Sequence, residues 1–170
     1  MKTKLCLLIL LIVGLSVQLS ANPINGLLER IDKGASKKFV IEFKKGADDF
    51  FELDQKGTKV VVRGNNCVNI ATGINWYLKY YAGIQLSWNG MQAKLPQVLP
   101  PVPRKERHET SLSLRYDFNY CTYSYTMAFW DWERWEKEID WMALHGINLP
   151  LGSRRPGMYL VQYASKTGIF

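Results

Sequence analysis

Residues 114–151 constrain the fold most, because two apolar patterns of different period follow one another there. In residues 114–121 large apolar and polar side chains alternate, which predicts a β-strand whose apolar face packs under helices. The apolar face comprises Leu114, Tyr116, Phe118 and Tyr120. The opposite face is polar and comprises Arg115, Asp117, Asn119 and Cys121. A polar face suits a strand that lines a site, although a half-exposed strand with a solvated face remains the alternative.

The next pattern has helical spacing. Four apolar residues recur at intervals of three and four: Trp132, Trp135, Ile139 and Met142. Asp131 is a candidate N-cap, Gly146 suits the position after the last helical turn, and His145 is interpreted as a cation at the helix end instead of a ligand. Residues 147–151 are a short apolar run after this stop, so the stretch predicts a βαβ unit with parallel strands.

The acids of this helix are interpreted as a solvated face and not as a catalytic cluster. They are Glu133, Glu136, Glu138 and Asp140. Glu133 and Lys137 also stand in the i,i+4 order that stabilises a helix surface.

Residues 22–93 predict a small α+β domain, in which one or two helices cover a sheet. The expected helices span residues 23–33 and 67–81, and the expected strands span residues 39–43, 50–53, 59–63 and 84–88. Gly57 suits the turn of a hairpin between the second and third strands. Gly64 with two asparagines precedes the second helix, and helix capping is favoured there over anion binding.

Residues 94–110 contain four prolines and then a basic cluster, which predicts an extended, stiff linker with a solvated basic segment. The net charge of +7 includes two lysines before residue 22 and three basic residues after residue 151, and without these five the charge is +2. Such a balance argues against a nucleic-acid-binding protein.

Residues 1–21 have the basic, apolar and small-residue regions of a secretory signal peptide, with cleavage expected after Ala21. The apolar run is too short for a comfortable transmembrane helix, although an uncleaved anchor remains the alternative. We therefore expect a secreted or periplasmic protein without stable membrane insertion.

The cysteines that follow the leader, Cys67 and Cys121, are too few for a disulfide framework or a metal site. They fall in different predicted domains, so we expect no pairing between them. Cys67 is predicted to be a core residue at a helix start. No base neighbours Cys121 in the sequence, so it is not assigned as a nucleophile.

Two segments closely resemble the start of the catalytic barrel of α-N-acetylglucosaminidases, glycoside hydrolase family 89: RYDFNYCTYSY at 115–125 and WDWERWEKEIDWMALHGINL at 130–149. The preceding part resembles the small N-terminal domain of that family, and the resemblance covers residues 22–151. It implies an α+β domain followed by the first βαβ part of a (β/α)8 TIM barrel in residues 111–151. A whole barrel takes around 250 residues, so the barrel is expected to be incomplete here.

The resemblance also implies a chemistry. Family 89 enzymes remove terminal α-linked N-acetylglucosamine from glycans with retention, which requires two carboxyl groups about 5–5.5 Å apart. In the family both are glutamates on later barrel strands, so no catalytic residue is expected in this chain. Asn119 and Cys121 match residues at the floor of the sugar pocket, where they would contact the N-acetylglucosamine. No metal or organic cofactor is expected.

Residues 152–170 change in character, and we interpret them as a frameshifted tail, with a divergent C-terminus as the alternative. The chain as written is expected to lack glycosidase activity and to aggregate or be degraded, because an open βαβ piece exposes apolar side chains and strand edges. A non-catalytic glycan-binding module and a structural fragment are the competing interpretations.

Overall fold

A four-stranded sheet organises the small domain in the computed structural model, which describes residues 22–119 and 121–150. The strands are β1 (Phe39–Phe43), β2 (Asp49–Lys56), β3 (Lys59–Gly64) and β4 (Glu106–Thr110), in the order β1-β3-β2-β4. β3 runs parallel to β1, whereas β2 is antiparallel to both β3 and β4. The predicted hairpin between β2 and β3 is confirmed, and Gly57 takes the left-handed conformation there, with φ of 61°.

Two capped helices accompany this sheet: α1 (Pro23–Ile31) and α2 (Cys67–Tyr80). Asn22 caps α1 by accepting a hydrogen bond from the Ile24 amide at 3.0 Å, and Pro23 occupies the first helical turn. Asn66 caps α2 by accepting from the Asn69 amide at 2.8 Å, which confirms the capping role expected for this segment. Cys67 is buried at the helix start, as predicted.

The start of the barrel is a βαβ unit, as the residue spacing predicts. β5 (Tyr116–Asp117) and β6 (Leu149–Pro150) pair in parallel, and α3 (Trp132–Leu144) connects them. Asp131 caps α3 through the Arg134 amide at 2.9 Å, and Gly146 ends the unit's helix with φ of 79°. Both predicted termini of this helix are therefore confirmed.

One apolar core joins the small domain to this unit. Buried side chains of α1, α2 and the sheet continue without a break into Ile139, Met142, Ala143 and Leu144 of α3. Two members of the predicted stripe, Ile139 and Met142, therefore pack against the small domain. Trp135 is also buried, whereas Trp132 is 38% exposed, so the stripe is wrong for that residue. No helix in residues 22–119 and 121–150 is long and apolar enough to span a membrane.

Two predictions about the connecting segments are wrong. Residues 84–88 form no strand, and only an isolated bridge joins Ser87 to Gly90. The stretch predicted as a stiff linker contains β4, which pairs along β2, and it buries Leu95, Leu99 and Val102 in the common core. The cations of its basic segment, Arg104, Lys105 and Arg107, are exposed as predicted. This segment therefore lies on the domain instead of spanning solvent.

The predicted strand of residues 114–121 is shorter than expected. Its regular part ends at Asp117, because Phe118 has a positive φ of 74° that breaks the alternation of side chains. Leu114 is 67% exposed and Tyr116 is 57% exposed, so the expected packing of this face under helices is wrong for both residues within the described part of the chain.

Candidate functional site

The two predicted sugar-contacting residues lie just beyond the carboxyl end of β5. Since β5 and β6 are parallel, their carboxyl ends share one edge, which is where barrel enzymes place functional groups. Asn119 Oδ1 accepts hydrogen bonds from the amides of Cys121 at 2.9 Å and Thr122 at 3.2 Å. It also accepts from the Thr122 hydroxyl at 3.1 Å. The side chain of Asn119 therefore closes the turn that leads into the 3₁₀ helix Thr122–Ser124.

Both candidate residues are exposed at this edge. The side-chain oxygen of Asn119, Oδ1, accepts its hydrogen bonds from the loop. The Nδ2 group of the same side chain therefore remains as the hydrogen-bond donor for a ligand. Cys121 is a free, exposed thiol and Cys67 is a free, buried one.

Phe118 sets the direction in which Asn119 leaves the strand. Its left-handed backbone is rare for an aromatic residue, and such conformations persist where surrounding contacts hold them. The Phe118 amide donates to Asp117 Oδ1 at 2.8 Å, and the ring meets Trp135 edge-on with centroids 6.4 Å apart. The sequence alternation alone does not show this reversal.

The prediction of a solvated acidic face on α3 is wrong for two of its four members. Glu138 is 1% exposed and Asp140 is 4% exposed, whereas Glu133 is exposed and Glu136 is half-buried. Asp140 accepts from Arg30 Nε at 2.6 Å and Nη2 at 2.8 Å, across a separation of 110 residues. Partners this remote leave no signal in the local sequence pattern.

Glu138 is held by one residue of the small domain and one of its own helix. Its Oε2 atom accepts from Trp88 Nε1 at 2.6 Å and pairs with Arg134 Nη2 at 2.9 Å. Burial raises the pKa of Glu138, and the nearby Asp117 adds to this, although the bonds from Trp88 and Arg134 act in the opposite direction. A buried carboxylate with two donors is a structural anchor.

Arg115, which the alternation places on the site-lining face, instead binds the small domain. It pairs with Asp49 at 2.8 Å, bonds Asn69 at 3.3 Å and donates to the carbonyl of Gly146. Burial alone would raise the pKa of Asp49, but the hydrogen bonds from Arg115 and Asn69 outweigh it, and that pKa is lowered. A cavity of about 170 Å³ beside these groups is smaller than typical ligand pockets of roughly 300–1,000 Å³.

No group of three or more acid, histidine or cysteine side chains in the described ranges could hold a metal ion. The candidate site therefore consists of the exposed edge after β5, with Asn119 and Cys121, and the aromatic and charged side chains packed behind it.

The comparisons with known proteins agree over most of the chain. The model of the alpha-N-acetylglucosaminidase (NAGLU) N-terminal domain matches residues 22–101, and the model of the TIM-barrel domain of the same enzymes matches residues 115–163. Human alpha-N-acetylglucosaminidase is 42% identical over 120 residues, which are 71% of this chain and 16% of the human protein. The barrel match extends beyond residue 151, where the resemblance read from the sequence ends. The predicted tail lies outside the described residues.

Solved structures give the same result. A family 89 glycoside hydrolase from Clostridium perfringens, in complex with 2-acetamido-1,2-dideoxynojirmycin, matches with a TM-score of 0.73 and 38% identity over 78% of this chain and 16% of that one. A variant of the Clostridium enzyme with two glutamates replaced by glutamine, in complex with its substrate GlcNAc-alpha-1,4-galactose, matches with a TM-score of 0.74 and 39% identity. That match covers 77% of this chain and 15% of the variant. The two domain models, the human relative and the solved structures all agree. The chain therefore belongs to the α-N-acetylglucosaminidases of glycoside hydrolase family 89.

Proposed function

We propose that this polypeptide forms part of an exo-acting glycoside hydrolase that removes terminal α-linked N-acetylglucosamine from glycans with retention of configuration. The observation that carries the proposal is the joint match to the N-terminal and barrel domains of family 89. The chain spans about 16% of the length of the human relative.

The part proposed for this chain is recognition of the sugar. Asn119 and Cys121 lie at the shared carboxyl edge of two parallel strands and are exposed there. The Nδ2 group of Asn119 can donate to a sugar oxygen, and the Cys121 thiol offers a small, weakly polar contact. These features support the assignment of both residues to the floor of the sugar pocket.

The buried acids of the described ranges are not suited to act as the reactive pair. A retaining mechanism needs one carboxyl group as nucleophile and one as acid/base. The buried carboxylates Glu52, Glu138 and Asp140 are each engaged by cationic or indole donors. We therefore propose that the two glutamates come from later barrel strands, and that residues 1–170 alone hydrolyse no substrate.

The test uses the purified 170-residue chain with an aryl α-N-acetylglucosaminide and with free N-acetylglucosamine. We expect no release of the aryl group, and saturation-transfer NMR contact with the free sugar that is lost in Asn119→Ala. The matched control is Asn25→Ala, which removes an exposed asparagine from α1 and should leave the contact unchanged.

Three outcomes would count against parts of this proposal. Hydrolysis by the chain alone would contradict the proposal that the two reactive glutamates lie outside residues 1–170. Sugar contact that survives Asn119→Ala would remove this residue from the pocket floor. Sugar contact without turnover, even after the remaining barrel strands are supplied, would favour a glycan-binding module.

We also propose that the protein is exported to a secreted or periplasmic location. The basic, apolar and small-residue regions of residues 1–21, which lie outside the described ranges, support this proposal. N-terminal sequencing of protein from the extracellular or periplasmic fraction should begin at Asn22. Recovery only of chains that begin at Met1 would contradict cleavage.

A further inference from the structure

A loop of the small domain reaches the first barrel helix through one indole. Trp88 lies in the turn closed by mutual backbone hydrogen bonds between Ser87 and Gly90, both at 3.0 Å. Its Nε1–H donates to Glu138 Oε2 at 2.6 Å, and the same oxygen is 2.9 Å from Arg134 Nη2. One buried carboxylate on α3 therefore joins Trp88 and Arg134.

Arg134 extends this connection to the loop between β5 and α3. Its guanidinium carbon lies 4.8 Å from the centroid of the Trp88 ring and 4.0 Å from that of Trp130. Both distances are within the range of cation–π attraction. Because Glu138 fixes the guanidinium, an indole of the small domain and an indole of the loop are held on one cation. We call Trp88, Trp130, Arg134 and Glu138 the indole clamp.

From the indole clamp, ring contacts lead to the candidate site. Trp130 meets Trp135 with centroids 5.1 Å apart at 70°, and Trp135 meets Phe118 at 6.4 Å and 89°. Phe118 holds the left-handed backbone that directs Asn119 out of the strand. A bulky residue keeps such a conformation only where its surroundings impose it. The packing behind Phe118 is therefore part of what orients Asn119.

We propose that Glu138 is a positioning residue: through the indole clamp it couples the small domain to the loop after β5 and so fixes the orientation of Asn119 and Cys121. It touches neither the sugar nor the reacting atoms. The inference rests on the proposed function for the identity of the ligand at Asn119 and Cys121, whereas the coupling itself is a property of the chain alone. It gives the small domain a role in shaping the sugar site.

The test measures hydrogen exchange by NMR in the 170-residue chain. The amides of Cys121 and Thr122, which both donate to Asn119 Oδ1, report on the turn, and the β3 amides report on the whole fold. Glu138→Gln removes the charge that holds Arg134, and Trp88→Phe removes the indole donor. We expect exchange at Cys121 and Thr122 to become about tenfold faster in both variants, with β3 unchanged.

The matched control is Glu133→Gln, which removes an exposed carboxylate paired with Lys137 in the same i,i+4 arrangement. It should leave exchange at Cys121 and Thr122 as in the parent chain. Trp88 is partly exposed, so Trp88→Phe still decides the question if Glu138→Gln fails to fold. A parent chain without protection at these amides, or a folded Trp88→Phe chain with unchanged exchange, would overturn the proposal.

A sugar titration separates this inference from the proposed function. If the parent chain binds N-acetylglucosamine, both variants should weaken binding about tenfold and Glu133→Gln should not. If the parent chain shows no binding but the turn amides respond as expected, the sugar assignment of Asn119 and Cys121 fails while the coupling through Glu138 stands.

Discussion

The small domain and the first barrel unit stabilise their buried acids in different ways. Glu52, on β2, is surrounded by Lys44 at 2.9 Å, Lys105 at 3.0 Å and Arg107 at 3.1 Å. Lys44 directly follows β1, Arg107 lies in β4 and Lys105 immediately precedes it. The small domain therefore neutralises this buried carboxylate with cations in its sheet or next to the ends of its strands.

The barrel unit depends on the small domain instead. Asp140 of α3 is bound by Arg30 of α1, and Glu138 is bound by Trp88 as well as by Arg134. The buried apolar side chains of α3 also belong to the core that α1, α2 and the sheet share. The difference indicates that Glu52 is paired within the small domain, whereas α3 needs the small domain for both its apolar side chains and its buried acids.

The largest expected effect comes from truncation in the common core. Ile139→Ala in α3 and Ile74→Ala in α2 should each lower the free energy of unfolding by about 2–5 kcal/mol, because both side chains are fully buried. Urea titration followed by circular dichroism should show one cooperative transition for both variants. Two separate transitions, or a negligible effect of Ile139→Ala, would break the dependence of α3 on the small domain.

The next effect concerns the pair that joins α1 to α3. A double-mutant cycle with Arg30→Gln and Asp140→Asn should give a coupling energy of about 1–3 kcal/mol, because the carboxylate is buried and bonded by two guanidinium nitrogens. Additive effects of the two substitutions would show that the charged contact contributes nothing to the junction.

Glu52 and Glu138 should give opposite responses to pH. Burial raises the pKa of Glu52, but hydrogen bonds from Lys44, Lys105 and Arg107 outweigh it and lower that pKa to about 2. The stability from Glu52 is thus present above its ordinary value of 4.5 and is lost as the pH falls toward 2. The raised pKa of Glu138 has the reverse sign, and its contribution is lost as the pH rises above 4.5.

Substitution by glutamine should separate these two contributions. Glu52→Gln should cost about 1–3 kcal/mol at neutral pH and flatten the loss of stability in acid. Glu138→Gln should instead flatten the loss as the pH rises above 4.5. Denaturation midpoints measured from pH 2 to 8 provide the comparison, and the same direction of change in both variants would contradict it.

The smallest effect is expected on the solvent side of α3. Lys137 and Glu133 form an exposed pair at 2.9 Å, and Glu133→Gln should cost only about 0.3–0.5 kcal/mol. The loss should disappear in high salt, because exposed charges are screened. A loss comparable with that from the Arg30–Asp140 pair would remove the distinction between the two faces of the helix.

Local spacing predicted the elements that depend on near neighbours. The period of Trp135, Ile139 and Met142, the Asp131 cap and the Gly146 stop all act within one or two turns, and the structure confirms them. Trp132, at the helix start, is exposed instead of buried. The same signals predicted the βαβ unit. The sugar contacts of Asn119 and Cys121 stay predictions, since they depend on a bound glycan.

What the sequence did not predict depends on distant partners. Glu138 and Asp140 look like surface acids until Trp88 and Arg30, 50 and 110 residues away, are placed beside them. The charged run that forms β4 has little strand character of its own and becomes a strand because β2 offers a pairing edge. Phe118 is likewise held in a conformation that its residue type disfavours.

The position of β4 bears on how proteins of this family can be recombined. Because residues 106–110 belong to the sheet, only residues 111–115 connect the small domain to β5, and five residues reach at most about 18 Å. A chimera joined at the proline-rich segment would therefore separate β4 from the other three strands of its sheet. The unit that can be exchanged between homologous enzymes therefore begins with α1 and ends no earlier than α3.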